Sequence, residues 1–164
     1  LALLVVSTAA AGSSTTPVTG NYIVIYRGTP GRVWYPVPDV LFMRDRPMLV
    51  QFTADDARLT GIACLNYNAN IMRSPDDPWN GIQVVFCGNM RLETDSDTDC
   101  MNATDYWEGG AKGVHAPNGI ENLEIHMKGY GKYAGQRVDL EAWSDPVTFT
   151  PHHFAGEIQE RGGK

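Results

Sequence analysis

LALLVVSTAAAGSSTTPVTGNYIVIYR, Leu1 to Arg27, opens the chain as an apolar run, a small polar connector and a second apolar run. Two readings of it compete. An apolar block ending in Ala9, Ala10 and Ala11 has the form that a leader peptidase cuts, although no basic residue precedes it. The other reading makes a strand of each run. Val5, Val6, Thr8 and then Tyr22, Ile23, Val24, Ile25 and Tyr26 are β-branched or aromatic, and Gly12, Pro17 and Gly20 punctuate the connector between them. The residue types favour the hairpin.

Working outward, Pro30, Pro36 and Pro38 with Gly28 and Gly31 exclude helix and interrupt a sheet ladder, so 28–38 is expected to be a hinge. It divides a terminal hairpin, 1–27, from a β-rich domain, 39–164. Within that domain Met48, Val50 and Phe52 share one parity, as do Leu59, Gly61, Ala63, Leu65 and Tyr67. Gly81 to Asn89 is apolar on both parities and reads as a strand covered on both faces. Leu123, Ile125 and Met127 alternate with polar residues, and so do Val138, Leu140 and Ala142. Trp34 and Trp143 are expected to plug the core. The segment from His152 to Lys164 is expected to be a loosely held tail. No window sustains a helical period, so the fold class is all-β, a sandwich or jelly roll.

Bulk composition removes several function classes. A net charge of −6 and a pI near 5.1 argue against nucleic-acid contact, which depends on clustered Lys and Arg. No run approaches the roughly 20 apolar residues of a membrane-spanning helix. Cys64, Cys87 and Cys100 match no zinc spacing, and either one disulfide with an odd thiol or three thiols is open.

Few side chains carry a chemical signal. Asp95, Asp97 and Asp99 have the alternate spacing with which a calcium loop presents oxygens. The loop's glycine position holds Cys100 and its bidentate glutamate position holds Tyr106, so this is no EF-hand and a solvated acidic loop is favoured over a calcium site. His115, His126, His152 and His153 lack fixed metal-ligand spacing and read as strand-face or tail histidines. There is no G-x-S-x-G elbow or other nucleophile motif, so no enzyme and no cofactor are expected. Asn102-Ala103-Thr104 fits a glycosylation sequon. Tyr106, Trp107, Tyr130 and Tyr133, set among glycines, are the expected recognition surface for a protein or glycan.

With hairpin and hinge in place, the start of the chain resembles the end of the shell domain in coat proteins of small icosahedral RNA viruses of tombusvirus and nodavirus type. There the last jelly-roll strands are joined by a Ser/Thr/Gly-rich loop, and a hinge leads to a protruding β-domain. LALLVVSTAA, AGSSTTPVTG and GNYIVIYR occupy those places. The resemblance implies a structural capsid protein at the virion surface: the last strands of a jelly roll in the wall, then a sandwich- or jelly-roll-like protruding domain. Copies of that domain would pair or trimerise and meet a host receptor. Two alternatives follow from the residues alone. One is a secreted β-sandwich binding module behind a leader; the other is an extracellular filament subunit whose first strand completes a neighbour's sheet.

Overall fold

In the computed structural model of the chain, residues 12–72, 83–94, 102–115, 121–144 and 151–160 are described. They form nine antiparallel strands: β1 (Ser14–Arg27), β2 (Arg32–Val37), β3 (Val40–Ala54), β4 (Gly61–Met72), β5 (Gln83–Glu93), β6 (Tyr106–His115), β7 (Glu121–Tyr130), β8 (Gln136–Ser144) and β9 (His152–Glu160). Two single-turn 3-10 segments, Ala57–Leu59 and Gly131–Tyr133, complete the described chain. The protein is all-β, as its sequence predicts.

From β3 to β9 each strand pairs with the next, and β1 closes the ring by pairing with β9 on one edge and β3 on the other. This is an up-and-down barrel and not the crossed-over path of a jelly roll. Following opposed residues around the ring from Gly20 returns to β3 at Met43, although Gly20 itself faces Ala54. That stagger tilts the strands and permits closure. Glycine is needed where the strands crowd: a Cβ on Gly109 would run into the His126 carbonyl of β7.

Several expectations change once the ring is seen. Ser14 to Gly20, expected as part of a polar connector, continues β1 alongside β9, because Thr15, Thr16, Val18 and Thr19 suit a pleated strand. The expected hinge contains β2, which pairs with β3 outside the ring; Pro36 is tolerated on this edge strand. Gly28 N–H donates to the Pro47 carbonyl at 2.8 Å and Gly31 N–H to that of Asp45 at 3.2 Å. Strands on both sides of 28–38 thus share one sheet. The expected tail is β9, held between β8 and β1. Val85 and Cys87 face water, because a single sheet closed on itself has only one covered face. Trp143, on the opposite parity to Leu140 and Ala142, points outward and is 42% exposed. Cys64 is disulfide-bonded, Cys87 is free, and Cys100 lies outside the described residues.

One end of the barrel is plugged. Trp107 is fully buried, its indole N–H donates to the Arg58 carbonyl at 2.7 Å, and its ring stacks on Tyr133 at 4.9 Å. Leu59, Leu92, Val138 and Ile158 fill the space around it. Arg58 ties the 3-10 turn to the wall: its guanidinium reaches Asp56 at 2.7 Å and Glu160 of β9 at 2.6 Å. Among the described residues no such plug fills the opposite end of the lumen.

Candidate functional site

Beyond the plug the lumen holds a cavity of about 290 Å³. Its depth is apolar, lined by Val50, Phe52, Leu65, Met90 and Ile125. This lies at the small end of ligand pockets, roughly 300–1,000 Å³, which are mostly apolar with a few convergent polar groups.

Those polar groups come from one row of inward residues. His115 faces Glu121 across β6 and β7, Ser144 faces His152 across β8 and β9, and Tyr22 faces both His152 and Phe52. Glu121 and Ser144 complete the row, joined by a 2.7 Å hydrogen bond from the Glu121 N–H to the serine hydroxyl. Neighbouring strands lie about 4.8 Å apart, so β7 and β9, flanking β8, are separated by roughly twice that. The short Ser144 side chain leaves the gap unfilled, and Glu121 Oε2 and His152 Nδ1 meet across it at 2.5 Å. Tyr22 stacks on the His152 ring at 4.8 Å and on Phe52 at 5.4 Å.

The row is unsatisfied. The Tyr22 hydroxyl, Glu121 Oε2 and His152 Nδ1 are the buried side-chain polar atoms without a hydrogen-bond partner among the described residues, and all three residues line this cavity. The Glu121–His152 approach is short, yet its angles miss those of a hydrogen bond. Burial, and after it the charge and hydrogen-bonding reach of Glu121, hold the Tyr22 hydroxyl far above the ordinary tyrosine range. Tyr22 therefore stays protonated and can donate. A buried polar atom left short of hydrogen bonds costs about 1–3 kcal/mol, so a ligand oxygen that reaches this cluster is favoured.

At the mouth, Arg27 and Arg46 also line the cavity. Arg46 continues the inward series Phe52, Val50, Met48, and its Nε–H donates to the Gly28 carbonyl at 3.0 Å. Arg27 is turned inward by a β-bulge: the register shifts between Val24 and Tyr26, which sets Arg27 opposite the inward Met48.

The residues expected as sites fall elsewhere. Asp95, Asp97 and Asp99 lie outside the described residues. Among the described residues no group of three or more His, Cys, Asp or Glu could hold a metal ion, and no helix is long and apolar enough to cross a membrane. Asn102 is exposed just before β6. The four aromatics do not form one surface, because successive strand residues point to opposite faces. Trp107 and Tyr133 are buried in the plug, whereas Tyr106 and Tyr130 stack on the outer wall at 4.8 Å with the Arg91 guanidinium 3.7 Å from the Tyr106 ring. His115 and His152, read from sequence as strand-face or tail residues, line the cavity. The usable signal was parity: Glu121 falls in step with Leu123, Ile125 and Met127, and His152 with Phe154 and Ile158. Compared with known proteins, the chain matches no family model, no curated protein and no solved structure.

Proposed function

We propose that the chain is an extracellular binding module that takes a small, mostly apolar molecule into its barrel, with an oxygen-bearing group of the ligand meeting Tyr22, Glu121 and His152. The observation that carries this reading is a buried polar cluster, the Tyr22 hydroxyl beside the close Glu121–His152 pair, set in the wall of one cavity with apolar depth. Protonated Tyr22 donates to a ligand carbonyl or hydroxyl oxygen, and the Glu121 carboxylate accepts from a hydroxyl. The disulfide at Cys64 supports an oxidising compartment, in keeping with the secreted alternative drawn from the sequence. The coat-protein resemblance assigns residues 1–27 to a shell. Here β1 already has neighbours on both edges from the same chain at Gly20–Tyr22, which favours the binding module.

A neutral solvatochromic dye titrated into the protein tests the reading. Saturable one-to-one binding is expected, and Ala111→Phe, which fills the cavity from β6, should weaken it about tenfold or more. Circular dichroism establishes that the variant is folded. Unchanged dye affinity in folded Ala111→Phe would overturn the assignment of the lumen as the site.

A further inference from the structure

We infer that the ligand is a small, mostly apolar acid that carries a second oxygen for the Tyr22 row and whose carboxylate is held by Arg27 and Arg46 at the barrel mouth. The inference rests on the lumen being the binding site and adds the chemical class of what enters it. The other residues lining the cavity are apolar, aromatic or members of the buried row, so two guanidinium groups there break the pattern. One of them is there only because a bulge reverses the alternation of β1 at Ile25. Bulges at barrel rims re-aim side chains in this way, beside sites of function.

Arg58 pairs with Asp56 and Glu160, and Arg91 with Glu93, but among the described residues no carboxylate pairs with Arg27 or Arg46. Two guanidinium groups lining one cavity favour an anion there. Arg46 is moreover preorganised. Its Nε–H is committed to the Gly28 carbonyl and Nη1 contacts Met43 Sδ at 3.7 Å, which fixes the guanidinium plane and leaves further N–H groups for a carboxylate. Glu121, the lumenal carboxylate, lies in the other row beside His152, so a ligand anion at the arginines avoids it.

Competition against the neutral dye separates this inference from the one beneath it. Octanoic acid, octanol and methyl octanoate share one apolar body and differ at the head. Octanoate is expected to displace the dye at least about tenfold more effectively than the other two, with the advantage shrinking as salt is raised. The double variant Arg27→Gln, Arg46→Gln, shown by circular dichroism to be folded, should erase that preference, so that octanoate and methyl octanoate displace the dye equally. Equal displacement by the acid and its ester, or a preference that survives in the double variant, would overturn the inference alone. Failure of both dye and octanoate to bind would overturn the cavity reading as well.

Discussion

Tyr22 shows how much one position is asked to do. It is 6% exposed, its ring is stacked between His152 and Phe52, and its hydroxyl is buried without a bond beside a carboxylate. Because its pKa is raised in the fold, the folded chain keeps a proton that the unfolded chain releases near the ordinary tyrosine value of 10.0. The stability tied to this group is complete below that pH and declines as the solution becomes more alkaline. Tyr22→Phe should therefore flatten the alkaline loss of stability in denaturant titrations. At neutral pH it should change stability by no more than about 1 kcal/mol in either direction, since the hydroxyl reaches toward Glu121 without well-formed hydrogen-bond geometry. A steeper alkaline loss in the variant would contradict the placement of the hydroxyl. The inward parity of Glu121 and His152 could be read from their apolar neighbours. Their meeting could not, because it depends on Ser144 being small on an intervening strand and on a register that only the closed ring sets.

Among the elements, β7 and β8 were the most legible because each has one wet face and alternates without interruption. β1 and β9 were the least legible. In β1 the glycine, proline and serine that suggested a connector are carried on a strand held by β9 from Ser14 onward. In β9 the core parity rests on Phe154 and Ile158 alone, with Gly156 between them. The plug is the element most open to energetic test. Trp107→Ala removes the ring stacked on Tyr133 and the bond to the Arg58 carbonyl, and should cost about 3–5 kcal/mol in chemical denaturation. A loss below about 1 kcal/mol would mean that the 3-10 turn, tied down by Arg58, closes this end without the indole.

For the whole molecule, composition and alternation were enough for the all-β class, but the architecture turns on β1 pairing with both β3 and β9, the second of which joins the ends of the described chain. β1 meets β9 through residues such as Ser14 and Glu160, and no local pattern encodes a contact at that separation. Without it the same strands make an open sheet, which would need a second layer to cover its apolar face; with it the face becomes a lumen, and the lumen acquires a mouth. The measurement that tests this most directly is methyl NMR of the intact chain during titration with octanoic acid. Saturable shifts are predicted at the inward methyls of Val50, Leu65, Leu123 and Ile125, with the outward Ile23, Ile25 and Val33 unmoved. Shifts confined to those outward methyls would contradict the account.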